Sequence, residues 1–195
     1  MRRLFAFAIM VFACAAGHAQ PLTLPLPPAR STHLGFSLVP LNEQGWLVLA
    51  DRPEQFALRK AGAEPDEGYA VQGSTTSLPA FASPEAFLAE VVKRGTADSV
   101  AGRFKLVAHS AQLAPATGDM CARTHTVTED HAPVRRSSRS GPMILEIYAI
   151  TCAHPGNRAI GVMVGYSERY YPGHRDPRLE KSADTLLGSV TLNDL

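Results

Sequence analysis

Apolar residues along this chain recur at two spacings, and the change of spacing marks the elements. Alternation and short apolar runs come first. Phe36-Ser37-Leu38-Val39 reads as a strand ended by Pro40, and Trp46 to Ala50 as a second after the turn signal Asn42-Glu43-Gln44-Gly45. Gln55 to Ala61 alternates through Phe56 and Leu58, and the Ser- and Thr-rich stretch Gly68 to Leu78 reads as an edge strand or partly loop. The spacing becomes helical at Ser83-Pro84-Glu85. Ser83 suits the N-cap, Pro84 the first turn and Glu85 the positive end of the helix dipole. Phe87, Leu88, Val91 and Val92 form its stripe, Lys93 and Arg94 suit its C-terminal end, and Gly95 is placed as its left-handed cap. Four strands follow, Arg103 to Leu113, Met120 to Thr128, Met143 to Cys152 and Ala159 to Glu168. A polar loop, Glu129 to Pro142, separates the second from the third, and the turn His154-Pro155-Gly156-Asn157 makes the last two a hairpin. A closing helix starts at Asp176-Pro177 and buries Leu179, Ala183, Leu186, Leu187 and Val190.

This order predicts an α+β fold, one antiparallel sheet with a central and a C-terminal helix packed on it. Setting Cys121 opposite Cys152 fixes a register. Arg123 then faces Ile150, His125 faces Tyr148 and Val127 faces Glu146. The opposite face carries Ala122, Thr124, Leu145, Ile147 and Ala149. Continued through the hairpin, that face is expected to gain Ile160, Val162 and Val164, and the cysteine face Ala159, Gly161, Met163 and Gly165.

Composition places the chain among exported globular proteins. Of 195 residues, 45% are hydrophobic and 19% charged, enough apolar content for one core. Arg2 and Arg3 precede an apolar run from Leu4 to about Ala16, and Gly17-His18-Ala19 offers small residues to a signal peptidase. The division expected is a signal peptide over 1–19, a Pro-rich tether over 20–34 (Pro21, Pro25, Pro27, Pro28) and a single α+β domain over 35–195. Cleavage takes Arg2 and Arg3, so the 19 Lys and Arg fall by two against 18 Asp and Glu, and the formal balance moves from +1 to about −1. No basic excess for nucleic acid or an anionic membrane is left. No later apolar run spans a bilayer. Val11-Phe12-Ala13-Cys14 resembles a bacterial lipobox despite the bulky Phe12, so a lipoprotein anchored through Cys14 is the alternative to a free periplasmic protein. Either way Cys121 and Cys152 remain as a pair, read as a disulfide.

Motifs for chemistry are sparse. His125 and His131, with Glu129 and Asp130 between them, are weak candidates for a metal site; His-Glu-x-x-His is absent, and no metal or other cofactor is expected. There is no Gly-x-Ser-x-Gly, no Ser-x-x-Lys and no Cys-x-x-Cys, so no catalytic residue is assigned. Arg135, Arg136 and Arg139 are read as a mobile, solvated loop, with a patch for phosphate or an acidic partner as the alternative, and Trp46 as core. Tyr166, Arg169, Tyr170 and Tyr171 leave a strand for a loop. They are assigned as a partner-binding surface, on the expectation that such large side chains cannot all be buried; the alternative is a strand-to-helix loop whose tyrosines fold back over the sheet and stabilise it.

Two resemblances follow from these residues. The element order over Gly35 to Val190 resembles the PsbP-like α-β-α sandwich. Cys121, the Glu129-Asp130 pair, Cys152-Ala153-His154-Pro155 and Tyr166-Ser167-Glu168-Arg169 are similar to a group of uncharacterised exported proteobacterial proteins. The PsbP-like resemblance implies a non-enzymatic accessory or binding role in the cell envelope, with an envelope protein or a small ligand as partner. A periplasmic inhibitor of a toxin or lytic enzyme, and a hydrolase, are the alternatives.

Intact-mass analysis of the exported protein is expected to find a mature N-terminus near Gln20. An acylated N-terminus at Cys14 would replace that reading with the lipoprotein.

Overall fold

The computed structural model describes residues 22–97 and 102–195. In chain order the elements are β1 (Leu22–Thr23), β2 (Ser31–His33), β3 (Phe36–Leu38), β4 (Leu47–Arg52), β5 (Gln55–Ala61), β6 (Gly68–Ser77), α1 (Pro84–Ala97), β7 (Phe104–Leu113), β8 (Cys121–Asp130), β9 (Met143–Ala153), β10 (Ile160–Tyr170), α2 (Leu179–Gly188) and β11 (Thr191–Leu192). The fold is α+β: an eight-stranded antiparallel sheet with two helices packed on it, and a small sheet of order β11-β3-β2.

The large sheet runs β1-β4-β5-β6-β10-β9-β8-β7. It is two meanders, β4 to β6 and β7 to β10, joined where β10 pairs with β6 over ten residues. Because β6 lies in the middle and β7 at the rim, the chain must cross one face between them, and α1 is that crossing. It packs on β7 and β8. Ser83 caps it, its hydroxyl accepting the Ala86 N–H at 3.2 Å.

The pleat gives the sheet two unequal faces. On one lie Phe56, Leu58, Val71, Ile150, Cys121, Cys152, Val162, Val164 and Tyr166. They are covered by α2 (Leu179, Ala183, Leu186, Leu187), by Trp46 and by Phe36 and Leu38 of the small sheet. We call this the α2 face. Here Phe36 lies directly against Gly73, where an added Cβ would stand 2.6 Å from its Cε2, so β6 needs a glycine at that point. The other, the α1 face, is floored by Ala122, Thr124, Ile147, Ala149 and Met163, and α1 covers only part of it.

Several expectations are corrected. The register across Cys121 and Cys152 is as read, through Arg123↔Ile150, His125↔Tyr148 and Val127↔Glu146. Through the hairpin the faces are the reverse of those expected, because Val162 pairs with Cys152 and Val164 with Ile150. Val162 and Val164 therefore belong to the buried α2 face, and Gly161, Met163 and Gly165 to the other. β6 is a central strand rather than an edge or loop; Ser74 and Thr76 point to the open α1 face and do not require burial, while Thr75 and Ser77 alternate to the other side. Gly95 does not cap α1 but lies inside it. The closing helix begins at Leu179, and Asp176 precedes it, its carboxylate accepting the Arg178 N–H at 2.8 Å. The proline-rich stretch from Leu22 is laid on the domain, with Leu22 and Thr23 paired to Val48 and Leu47. The proposed signal segment and Cys14 fall outside the described residues.

Cys121 and Cys152 are bonded across neighbouring strands, which agrees with an oxidising compartment. Among the described residues no helix is long and apolar enough to cross a membrane. The bond closes a segment 31 residues apart in sequence. Replacing both cysteines by alanine should cost roughly 3–4 kcal/mol by the loop-entropy relation, read as a lower denaturation midpoint matching that of the reduced protein. Equal midpoints for oxidised and reduced protein would show that the bridge adds nothing.

Candidate functional site: a trough on the α1 face

Two adjoining cavities occupy the α1 face. The first, of about 410 Å³, lies beneath α1. Its floor is Thr124, Thr126 and Thr128 of β8, Leu145, Ile147, Ala149 and Thr151 of β9, and Met163 of β10; Phe87, Val91 and Gly95 roof it, and Phe104 and Leu106 close its β7 side. The local sequence explains the space. Strand-favouring threonines and a small alanine stand where the α2 face has rings, so the sheet is regular but the layer above it is thin. The second cavity, of about 470 Å³, opens over β4 to β6, with Arg59, Ala70, Gln72, Ser167 and Arg169 below and Val134 and Arg136 beside it. Leu145 and Ile147 line both, so the two form one trough.

Each half holds a buried polar atom without a partner among the described residues, His109 Nε2 in the first and Arg169 Nε in the second. His109 is set by α1. Its ring lies against Gly95, where a Cβ would stand 2.1 Å from Cε1, so only glycine lets helix and ring approach this closely. Nδ1 is 2.9 Å from the Thr126 hydroxyl. Burial first, and then the neighbouring His125 ring, lowers the His109 pKa from its ordinary value. Arg169 is joined with Arg103 to Asp130, which is fully buried: Arg103 donates at 3.0 and 3.1 Å and Arg169 lies at 3.2 Å. Burial pushes the Asp130 carboxyl up, but the Arg103 hydrogen bonds and the Ala132 N–H outweigh it and hold the group below its usual range.

The four residues assigned to a partner surface are not one surface. Tyr166 is 2% exposed and Tyr170 and Tyr171 6% each, which overturns the expectation that they stay uncovered. Tyr166 and Tyr170 point to the α2 face and Arg169 to the trough, because adjacent strand residues alternate. Tyr171 donates its hydroxyl to Asp66 at 2.6 Å. Asp66 also accepts from the Arg136 and Ser137 backbone and the Ser137 hydroxyl, and Arg139 lies 4.6 Å over the Tyr171 ring. The loop holding Arg135, Arg136 and Arg139 is thereby fastened rather than left loose in solvent. His125 and His131 are engaged separately, by Glu146 at 2.9 Å and Glu129 at 3.1 Å. Among the described residues no group of three or more His, Cys, Asp or Glu could hold a metal ion. No family model matches the chain, and no curated protein matches it.

Sequence reading passed over Glu146, the one carboxylate in the apolar run Met143 to Cys152. It is buried on the α2 face and accepts from Arg175 twice at 2.9 Å, Tyr170 at 2.7 Å, His125 at 2.9 Å and Tyr148 at 3.0 Å. His125 stacks on Tyr148, ring centres 4.2 Å apart. Burial raises the Glu146 pKa, and the hydrogen bonds from Arg175, Tyr170, His125 and Tyr148 more than reverse this, bringing it from 4.5 down to about 2. It also passed over His109 and the threonine row 124, 126 and 128, whose spacing of two was the available signal.

A carboxyl depressed in the folded state stabilises fully above its unfolded pKa and loses that contribution as pH falls through the folded one. Glu146 should therefore contribute a few kcal/mol that disappear between about pH 4.5 and pH 2. Glu146→Gln should lower stability at pH 7 and flatten the acid limb of the stability curve. An unchanged acid limb in that variant would assign the pH dependence to other carboxylates.

Proposed function

We propose that this is a non-enzymatic binding protein of the cell envelope whose ligand is an elongated, largely apolar small molecule held in the trough. The observation that carries the reading is the cavity under α1, within the roughly 300–1,000 Å³ usual for small-molecule sites and lined mainly by apolar and threonine side chains. An apolar hollow between a helix and a sheet is costly to leave unfilled, because its walls forgo contacts that close packing would supply. The carboxylates support binding over catalysis. Glu146 and Asp130 are shifted down and enclosed by donors, which suits holding structure together and not proton transfer near neutral pH. An exported, disulfide-bonded chain with such a site fits capture or carriage of a poorly soluble compound in the periplasm.

The neutral dye N-phenylnaphthylamine tests this. Its fluorescence should rise on saturable binding to a single site in the folded protein. Met163→Trp fills the floor from an exposed position and should weaken binding about tenfold or more without unfolding the chain. Thr151→Trp is the second block. No saturable binding, or binding indifferent to both blocks, would remove the trough as the site.

A further inference from the structure

The trough is chemically unequal along its length, and the inequality specifies a ligand. Under α1 the wall is mainly hydrocarbon, Phe87, Val91, Leu106 and Ile147 with threonine and alanine below, and the two charged residues in its lining, Glu90 and Arg94, are paired with each other. Past Leu145 and Ile147 the lining becomes cationic. Arg59, Arg136 and Arg169 stand there against the two carboxylates Asp66 and Glu67. Those carboxylates are already engaged, Asp66 by Tyr171, Ser137 and the Arg136 N–H, and Glu67 by the Tyr171 N–H and His174. The Lys60 ammonium is turned to the α2 face, over the Trp46 and Tyr69 rings and paired with Glu43. The guanidinium groups of Arg59 and Arg136 make no hydrogen bond or ion pair among the described residues, and the Arg169 Nε–H is buried without an acceptor. An unmet buried donor costs free energy that an anionic acceptor would recover, and guanidinium forks fit carboxylate and phosphate oxygens.

Resting on the reading of the trough as a ligand site, we infer that its occupant is a single-chain anionic amphiphile, the chain under α1 and the headgroup among Arg59, Arg136 and Arg169. The sheet supplies both halves from the same strands. Leu145 and Ile147 of β9 bridge the apolar and cationic ends, while Ser167 and Arg169 of β10 lie at the charged end. Asp130 holds Arg169 by one nitrogen and leaves its Nε–H free.

Calorimetric titration with dodecanoate, dodecyl phosphate and the neutral dodecanol separates the possibilities. At least one anionic chain should bind about tenfold or more tightly than dodecanol, as charge-assisted hydrogen bonds require, and added salt should narrow the gap. Whichever anion is preferred names the headgroup. In Arg59→Gln combined with Arg136→Gln, which leaves Arg169 in place, the preference over dodecanol should fall several-fold. Dodecanol binding as tightly as both anions, or a preference undiminished by the double substitution, overturns the inference. If N-phenylnaphthylamine binds the trough while neither anion binds, this inference alone fails. If neither dye nor amphiphile binds, the reading of the trough fails with it.

Discussion

The Glu146 carboxylate sits in the middle of an apolar strand, away from water, and can stay ionised there only with every lone pair engaged. Tyr148 is on its own strand, His125 on β8 and Tyr170 on β10, so three adjacent strands contribute. The guanidinium that completes the set, Arg175, comes from the connection to α2. The bidentate pair therefore fixes that connection against the sheet. Glu168 strengthens the same seam by accepting the Asp176 N–H at 3.2 Å, and Tyr69 donates to Asp176 at 3.1 Å. With Asp176 held, α2 starts at a set height and its Leu179, Ala183 and Leu186 reach the core. One buried charge thus propagates into the placement of the helix that closes the fold.

Side-chain volume is divided unequally between the two faces. Rings and large aliphatic residues gather on the α2 face, where a helix, a small sheet and Trp46 all compete for space. Threonine, alanine and glycine occupy the other face, and one helix covers only its β7 and β8 end. A trough follows from this division without any special loop. Its cationic end arises from the same alternation, since Arg59 and Arg169 sit on strands whose neighbouring residues, Leu58, Glu168 and Tyr170, are buried on the opposite side.

Much of the fold was legible because it follows from local chemistry. Ser83-Pro84-Glu85 announced a helix start, alternation announced the strands, and the two cysteines gave the register of β8 against β9. The errors came where a local pattern has no unique reading. The hairpin after His154 reverses the expected facing by a single step, and that step hid Met163 from the trough. Thr and Ser in β6 looked like loop because a strand with one open face needs no apolar alternation there. The candidate site was less legible than the fold. Its residues are ordinary threonines, one histidine and scattered arginines, brought together by pairing that no short motif records. Tyr166, Tyr170 and Tyr171 misled for the converse reason: aromatic residues beside arginine look like an interface, but their partners are the buried acids Glu146 and Asp66 and the Trp46 ring, far away in sequence.

The register of β7 on β8 shifts between Leu106 and Ala108, leaving Val107 as the extra residue, half-exposed at the rim. β7 is the outermost strand of ten residues, with a long row of outward N–H and C=O groups. A bulge interrupts that row's regular spacing and adds local twist. An arriving strand from another chain could match it on one side of Val107 or on the other, but not across it. The irregularity in the ladder acts as a guard on the sheet's longest open edge, limiting templated growth into larger β assemblies.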